Sequence, residues 1–481
     1  MKPIQTLLFL LGIFALLSLI VLVFPKDGLE LTSDIKLIFP TFTEIFSPDE
    51  PDAVDISALT ADSINTGLKK NIASKPASAK ADTLIDPKFL QYPSGDVSVL
   101  HPFFAQLDSI KIDKRQIRVV HYGDSQLEED RISSFVREEL QQTFGGWGPG
   151  LISPQPLAQS ISILQSDSDN WERFAIYSAD DKAEHRRYGV LASFARYGGT
   201  SAYLKLRQSP FAYDRSKAFT KCTLLYGFNP ASVKAELLFD GKPRASKTLK
   251  SSNHLQVATW MLDSIPNDLT IKFSGGGSPD VYAVALDGDA GGVAVDNVPM
   301  RGAAGTIFAG LDSTLLGESY DTLGVKLLIL QYGGNAMPTG SPEQAARFGE
   351  KFCTHLKALR TLRPQIPMIV IGLADMSKKV KGKLQSYPYI ENMRDALRKA
   401  AFDAGAAYWD MFGAMGGRNS MPVWVKSKPP LAGPDYVHFT RKGAEKISGL
   451  FYTALMKDYN SYRRTLVKSD TTVTAFDATK K

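Results

Sequence analysis

The chain has 481 residues, of which 44% are hydrophobic and 22% are charged, and its formal net charge is +6 at pH 7. This composition predicts a globular protein with a sizeable core, and the length allows two or three domains. The charge is mild and forms no basic stripe with interleaved aromatic residues, so nucleic acid is not an expected partner. The two cysteines, Cys222 and Cys353, are too few for a disulfide framework and are predicted to be buried free thiols.

The N-terminal segment is apolar from Thr6 to Phe24. Roughly 20 apolar residues suffice to cross a bilayer as a helix, and the segment lacks the small-residue exit of a cleavable signal peptide. Residues 1–25 are therefore predicted to be an uncleaved transmembrane anchor, with cleavage as the alternative. Lys2 precedes the segment and acidic residues follow it, which favours a globular part outside the cytoplasm. Residues 26–95 are polar and lack periodicity, which predicts a flexible tether.

The first folded segment, residues 96–150, joins a strand to a helix through a tight turn. A β-branched run ends in Gly123-Asp124-Ser125, and an amphipathic pattern then predicts a helix from Leu127 to Phe144. A serine at such a turn has backbone amides near the positive end of a helix dipole, where negative charge is stabilised. The alternative is that Ser125 or Asp124 only caps the helix.

The sequence pattern changes over residues 151–287, where short β-prone runs are separated by clusters of Gly, Pro, Asn and Asp. This spacing predicts an inserted β-sandwich or jelly roll, in which Phe239-Asp-Gly-Lys242 forms a tight hairpin. From residue 288 strands alternate with helices, including a helix over about 385–404 and a last one that begins at Thr440. The alternation predicts an α/β domain, residues 96–150 and 288–465, with a parallel sheet covered on both faces. Residues 466–481 are predicted to be a disordered tail.

Three later stretches carry groups that could act together with a serine. They are a glycine-containing loop over residues 296–305, Gly333-Gly334-Asn335 after a buried strand, and Asp435-Tyr-Val-His438 before the last helix. Active sites of parallel α/β sheets lie at the carboxyl ends of the strands, which is where these stretches fall. An Asp this close to a His can hold one imidazole nitrogen and leave the other to activate a serine.

These four stretches, in this order, resemble the sequence blocks of the SGNH (GDSL-type) hydrolase superfamily. The resemblance implies a three-layer flavodoxin-like fold and a serine esterase in which Ser125 attacks an ester carbonyl. His438 would transfer the proton and Asp435 would orient His438. The oxyanion hole would comprise the amides of Ser125 and Gly302 and the Asn335 side chain, with Asp124 and Gly334 in supporting positions. Gly305 is the alternative to Gly302 if the loop is shifted, and Ala336 stands where the family often has Asp.

A narrower resemblance concerns Gly145-Gly-Trp-Gly-Pro-Gly150 and the segment Tyr408–Gly417. Both look like bacterial peptidoglycan O-acetylesterases and related polysaccharide acetyl-transfer proteins, in which a carbohydrate-binding-like β module interrupts the hydrolase. The resemblance implies removal of O-acetyl groups from an envelope polysaccharide, with the anchor in the bacterial inner membrane and the catalytic domain in the periplasm or outside the cell. Trp424 and Tyr436 are candidates for a substrate groove. Trp147 is a further candidate, with buried packing as its alternative.

Three questions stay open at this stage. The same triad would serve an O-acetyltransferase, and an inactive hydrolase fold would serve a carbohydrate-binding protein of envelope assembly. The basic run Lys378–Lys383 could attract an acidic polymer, or it could be a solvated loop. The remaining histidines show no metal-ligand spacing, so neither a metal nor a cofactor is predicted.

Overall fold

A computed structural model describes residue 9, two short N-terminal strands, and residues 89–337 and 341–478. The predicted membrane anchor therefore lies almost wholly outside the described residues. None of the helices that are described is long and apolar enough to cross a membrane. The two N-terminal strands pair antiparallel and belong to a unit of residues 1–74, and residues 75–481 form a second unit.

The secondary-structure elements have these bounds. The strands are β1 (Leu29–Thr32), β2 (Ile35–Leu37), β3 (Gln116–Gly123), β4 (Gly150–Ile152), β5 (Ile163–Asp167), β6 (Trp171–Ala175), β7 (Ser193–Tyr197), β8 (Ser201–Gln208), β9 (Lys221–Asn229), β10 (Val233–Phe239), β11 (Lys242–Leu249), β12 (Ser252–Met261), β13 (Asp268–Ser274), β14 (Asp280–Asp287), β15 (Gly292–Pro299), β16 (Val325–Gln331), β17 (Met368–Ile371), β18 (Ser377–Val380), β19 (Lys383–Ser386) and β20 (Ala407–Trp409). The α-helices are α1 (His101–Asp113), α2 (Ser133–Phe144), α3 (Asp214–Lys217), α4 (Ser313–Leu323), α5 (Pro342–Leu362), α6 (Ile390–Asp403), α7 (Met411–Met415), α8 (Ser420–Lys426) and α9 (Arg441–Ala478).

A five-stranded parallel sheet forms the centre of the α/β domain, in the order β15-β3-β16-β17-β20. Counted along the chain, this is the flavodoxin-like order 2-1-3-4-5. The strands are short apolar runs that are buried along most of their length, as expected for a sheet with no face in water. The predicted parallel sheet is confirmed.

Helices cover both faces of this sheet. Successive strand residues point to opposite faces, and accordingly Val119 and Val120 of β3 lie in two different hydrophobic clusters. The cluster around Val120 includes apolar residues of α4, α5 and α6. The cluster around Val119 includes residues of α1, α2 and α9. The α/β domain is therefore a three-layer sandwich, as predicted.

The insert consists of two antiparallel sheets, one in the order β11-β10-β13-β8-β5 and the other in the order β12-β9-β14-β7-β6 with β4 beside β14. Apolar residues that alternate along the strands of both sheets fill a common core. The predicted hairpin at Asp240-Gly241 is present, with Phe239 paired to Lys242 and positive φ at both turn residues. These residues thus form the predicted β-sandwich.

The insert is joined to the α/β domain through a buried ion-pair cluster and close backbone packing. Arg118 of β3 contacts Asp287 of the insert at 2.6 Å and Asp296 of β15 at 2.5 Å, and all three side chains are buried. A Cβ at Gly148 would lie 2.2 Å from the carbonyl oxygen of Leu286, so only glycine fits there. The Gly-Trp-Gly-Pro-Gly segment therefore packs the two parts against each other.

The helix predicted from Leu127 to Phe144 is interrupted. The structure has a 3-10 segment, Ser125–Asp130, followed by α2, and both Glu129 and Asp130 have a φ of +61°. The Asp130 carboxylate turns inward to contact Arg137 at 2.7 Å and Ser162 at 2.5 Å. Because Ser162 belongs to the insert, the local sequence pattern alone could not reveal this contact.

Other predicted boundaries also shift. Residues 89–95 are not tether, since Gln91 exchanges two 2.8 Å backbone hydrogen bonds with Tyr408 at the sheet edge. The helix predicted to begin near 385 begins at Ile390, after the hairpin of β18 and β19. Helix α9 continues to Ala478 and takes in most of the predicted disordered tail, because neither Gly nor Pro interrupts the chain after Gly449.

Candidate active site

The site lies where three neighbouring parallel strands end together. Gly123, the last residue of β3, pairs in register with Pro299 of β15 and Gln331 of β16. Ser125 follows β3, and the loops that carry Gly302 and Asn335 follow β15 and β16. The order of the strands reverses beside β3, which opens a crevice at their carboxyl ends.

Ser125, His438 and Asp435 are in line. Ser125 Oγ lies 2.8 Å from His438 Nε2, and His438 Nδ1 lies 2.7 Å from Asp435 Oδ2. An ionised carboxylate only accepts hydrogen bonds, so Nδ1 carries the proton and Nε2 presents its lone pair to the serine hydroxyl. The structure thus brings together three side chains that the sequence predicted to meet.

Asp435 holds its own loop as well as the imidazole. Its Oδ1 accepts hydrogen bonds from the amides of Val437 at 3.0 Å and His438 at 3.1 Å. Partial burial works to raise the pKa of Asp435, but the hydrogen bonds from the His438 ring and from these two amides outweigh it and lower the pKa below its usual value. Asp435 is therefore ionised throughout the neutral and mildly acidic range.

The carboxamide of Gln126 joins the nucleophile turn to the histidine loop. Its Nε2 donates to the carbonyl of Val437 at 2.6 Å, and its Oε1 accepts from the amide of Phe439 at 3.4 Å. These are the residues on either side of His438. Gln126 is 7% exposed and directly follows Ser125, so its side chain fixes the distance between the hydroxyl and the imidazole. No sequence motif predicts this role for Gln126.

Asp124 caps the 3-10 segment, with its Oδ1 accepting from the Gln126 amide at 3.0 Å. Burial raises its pKa to about 6 despite this hydrogen bond and the nearby His438. The next turn is tied to the Gly302 loop, because Glu128 forms a double hydrogen bond with the Arg301 guanidinium at 2.5 and 3.0 Å. Asp124 therefore supports the turn that carries Ser125.

The predicted oxyanion donors come from two loops that contact each other. Asn335 Nδ2 donates to the carbonyl of Ala303 at 2.9 Å, which leaves its second N–H available. Gly302 has a φ of +75° and is exposed. The alternative residue, Gly305, is buried, and a Cβ there would lie 2.6 Å from the Tyr332 ring, so the position requires glycine.

Ser125 opens onto a cavity of about 230 Å³. Its lining combines the polar groups of the site with an apolar wall, and comprises Asp124, Ser125, Gln126, Gln331, Tyr332, Gly334, Asn335, Leu373, Ala374, Met376, Tyr387, Met411, Val437 and His438. Sites for drug-sized ligands usually measure roughly 300–1,000 Å³. The cavity is therefore suited to a small group with an apolar end.

Neither of the two tryptophans predicted for a substrate groove lines the cavity that holds Ser125. Trp424 is 2% exposed, donates through Nε1 to the carbonyl of Met415, and packs on Phe439. Trp147 lies at the junction with the insert, where the Arg215 guanidinium covers its ring at 3.9 Å. Tyr436 is half-buried, packs on the cluster that contains Trp424, and does not line the cavity. Tyr332 and Tyr387 are aromatic residues that line the cavity, and no sequence pattern predicted either of them.

Both cysteines are free and buried, as predicted. A second buried serine–histidine contact lies behind the site, where Ser133 Oγ is 3.0 Å from His121 Nδ1. Among residues 89–337 and 341–478, no group of three or more His, Cys, Asp or Glu side chains is arranged to hold a metal ion.

No protein-family model matches the sequence, and no curated protein matches it. A solved structure titled "Peptidoglycan O-acetylesterase in action" is similar, with 20% identity over 75% of this chain and 96% of its own, at a TM-score of 0.61. The chain shares the fold of this structure. A match to a Bacillus subtilis protein has 14% identity over 65% of this chain and 97% of that protein, at a TM-score of 0.29. A family two carbohydrate esterase from Clostridium thermocellum, in complex with cellohexaose, has 10% identity and covers 56% of this chain and 95% of its own, at a TM-score of 0.23. Only the first of these scores is high enough to support the fold.

Proposed function

We propose that the protein is a serine esterase that removes O-acetyl groups from an envelope polysaccharide, with peptidoglycan as the first candidate. The observation that carries the proposal is the alignment of Ser125, His438 and Asp435 at the mouth of a small cavity. The SGNH hydrolase fold shared with a peptidoglycan O-acetylesterase supports the reaction class and suggests the polymer.

The geometry supports a two-step acyl transfer. Ser125 Oγ attacks the ester carbonyl while His438 Nε2 takes its proton, and the imidazolium that forms is stabilised by Asp435. The oxyanion would accept hydrogen bonds from the Ser125 amide, the Asn335 side chain and the Gly302 amide. His438 then protonates the leaving sugar hydroxyl, which leaves an acetyl group on Ser125. A water then loses a proton to His438 and attacks the acetyl carbonyl, and His438 returns that proton to Ser125 Oγ as acetate leaves.

Two observations favour an acetyl group and water as the acceptor. The cavity wall formed by Leu373, Ala374 and Met376 suits a methyl group, and the volume of about 230 Å³ suits a small acyl group. The side chains of His438 and Asp435 are 34% and 49% exposed, so water reaches the proton-transfer path. An acetyltransferase must exclude water from its acyl-enzyme, and this exposure therefore favours hydrolysis.

We also propose a location outside the cytoplasm, in the bacterial inner membrane with the catalytic domain in the periplasm or outside the cell. The support is the apolar stretch from Thr6 to Phe24, with Lys2 before it and acidic residues after it. Protease added to spheroplasts should digest the catalytic domain, and resistance of the domain in intact spheroplasts would contradict the proposal.

The enzymatic proposal is tested by acetate release from a panel of O-acetylated glycans, including O-acetylated peptidoglycan. The full-length protein should release acetate, and the Ser125→Ala variant should not. Equal acetate release by the two proteins would contradict the mechanism. Tight binding of a glycan with no hydrolysis by the wild type would instead favour a binding protein.

A further inference from the structure

A short antiparallel hairpin stands beside the cavity that holds Ser125. It consists of β18, β19 and a turn at Lys381-Gly382, where both residues have positive φ. We call residues 377–386 the basic hairpin. Its two ends continue into Met376 and Tyr387, which both line the cavity and are joined by a 3.0 Å backbone hydrogen bond. The basic hairpin is thus an extension of the cavity wall.

The base of the basic hairpin is anchored on both sides. The amide of Ser377 donates to the carbonyl of Tyr436 at 3.1 Å, which ties the hairpin to the loop of His438. Ser386 accepts from the amide of Asn419 at 2.7 Å and donates its own amide to the Asn419 side chain at 3.0 Å. Its position relative to the catalytic serine is therefore fixed.

The basic hairpin carries an uncompensated positive charge. Lys378, Lys379, Lys381 and Lys383 lie within six positions of sequence, and no acidic residue occurs between residues 376 and 390. Within the described part of the chain, none of these four lysines forms an ion pair, and the last three are exposed. Asp375, just before the hairpin, is buried and its Oδ2 accepts from the amide of Met421 at 2.8 Å. Such a concentration of one sign of charge attracts anions.

Aromatic rings accompany these charges. The Lys378 ammonium lies 4.8 Å from the centre of the Tyr387 ring, and this ring in turn borders the cavity. Tyr389, two residues further on, is 44% exposed. Aromatic rings offer flat apolar faces with a polar edge, on which the faces of sugar rings can pack. Charge and rings together fit a polymer that is both a saccharide and an anion.

We propose that the basic hairpin binds the carboxylate groups of an acidic polysaccharide while an ester-bearing sugar of the same chain occupies the cavity. This inference rests on the proposed esterase function and names its substrate class. Lysine ammonium groups on flexible stems act as point charges without a fixed geometry. They therefore suit a polymer whose carboxylates fall at variable distances from the ester.

The test uses the full-length protein and a triple variant, Lys379→Gln with Lys381→Gln and Lys383→Gln. The control removes the same charge from exposed lysines of the insert, through Lys242→Gln, Lys247→Gln and Lys250→Gln. A third protein replaces the hairpin lysines by Arg. The quantity measured is the ratio of kcat/KM for O-acetylated polygalacturonate, an acidic polymer, to kcat/KM for acetylated glucomannan, a neutral one.

Neutralising the hairpin should lower this ratio about tenfold or more at low salt, since three exposed charge contacts are lost together. Because salt screens exposed charges, the loss should shrink to about threefold or less in 0.5 M salt. The Arg variant should keep the ratio, and so should the control variant. An unchanged ratio in the Gln variant, or an equal loss in the Arg variant, would overturn the proposal.

A binding experiment separates this inference from the esterase proposal. Calorimetry with Ser125→Ala protein and unacetylated polygalacturonate needs no ester cleavage, and binding should weaken when the hairpin lysines are neutralised. Lysine-dependent binding without acetate release from any ester would contradict only the esterase proposal. Acetate release without lysine dependence would sink the hairpin proposal alone. Binding to vesicles of anionic lipid, without an effect on the glycan, would also overturn the hairpin proposal.

Discussion

Two serine–histidine contacts flank the segment that follows β3. Ser125 Oγ lies 2.8 Å from His438 Nε2, and Ser133 Oγ lies 3.0 Å from His121 Nδ1. At the first contact Asp435 occupies the other ring nitrogen, so Nε2 is free to accept the serine proton. At the second contact Ser133 donates its proton to Asn297 Oδ1 at 2.9 Å, so the histidine must be the donor.

The environments of the two histidines differ as much as their partners. His438 is about one-third exposed at the cavity, and His121 is fully buried between the sheet and α2. Burial lowers the pKa of His121 to about 3, which keeps the imidazole neutral. The comparison teaches that a short serine–histidine distance is not enough for catalysis. The direction of proton transfer also depends on the third group, which is Asp435 at the first contact and Asn297 at the second, and on access of the histidine to solvent.

The sharpest test of this comparison replaces each serine by alanine. Ser125→Ala should lower kcat for a small acetate ester by about 10⁴-fold or more, because the nucleophile is lost. Ser133→Ala should leave kcat of the folded protein within about threefold and lower the unfolding free energy by about 1–3 kcal/mol, because buried groups lose their partner. Steady-state kinetics and urea unfolding measure the two effects. A larger loss of kcat in Ser133→Ala than in Ser125→Ala would contradict the assignment of Ser125 as the nucleophile.

The second test removes the carboxylate that sets the tautomer of His438. Asp435→Asn should lower kcat by about 10²–10⁴-fold, because the carboxamide no longer stabilises the imidazolium and can favour the wrong tautomer. KM should change little, since Asp435 does not line the cavity. The control is the pH profile of kcat/KM, measured for the wild type and for Asp435→Asn. A loss confined to KM would contradict the role assigned to Asp435.

The third test uses the buried histidine. The pKa of His121 is about 3 in the folded state and should be near its usual value of about 6.5 in the unfolded state, so unfolding takes up a proton at intermediate pH. Its contribution to stability is complete above pH 6.5 and falls as pH drops toward 3, and the loss should be about 2–3 kcal/mol between pH 6.5 and 4.5. Unfolding free energies of wild type and His121→Gln should therefore converge as pH falls. Parallel curves for the two proteins would show that His121 is not buried in its neutral form.

The smallest expected effect concerns the spacing between Ser125 and His438. Gln126→Ala should lower kcat about 10–30-fold with little change in KM, because misplacement of a catalytic group is costly even when every group is present. Gln126→Glu is the matched variant, since it keeps the acceptor for the Phe439 amide and loses the donor to the Val437 carbonyl. Because its carboxylate would face the Val437 carbonyl oxygen, and both groups only accept hydrogen bonds, Gln126→Glu should lose at least as much kcat as Gln126→Ala. Equal activity of the wild type and both variants would show that Gln126 does not position Ser125 relative to His438.

The sequence predicted those parts of the molecule that depend on local patterns. The parallel strands are apolar runs bounded by turn residues, and the Asp240-Gly241 turn needs only its own two residues. The triad was predictable because its members lie in short blocks at strand ends. The strand order came from the resemblance and not from periodicity.

The parts that the sequence missed depend on contacts between distant segments. At the break before α2, Asp130 contacts Ser162 of the insert, and the role of Gln126 depends on a loop more than three hundred residues away. Trp424 lies in a loop rich in Gly and Pro, which predicted exposure, but Phe439 and Met415 bury it. The sequence of the basic hairpin alone does not distinguish it from a solvated loop, because its base is fixed by Tyr436 and Asn419, which lie outside it.

The most direct measurement is covalent labelling of the full-length protein with a fluorophosphonate, followed by mass spectrometry of the modified peptide. A single adduct on Ser125, absent from His438→Ala protein and unaffected by Ser133→Ala, is the predicted result. An adduct on Ser133, or an unlabelled Ser125 in folded wild-type protein, would contradict the account.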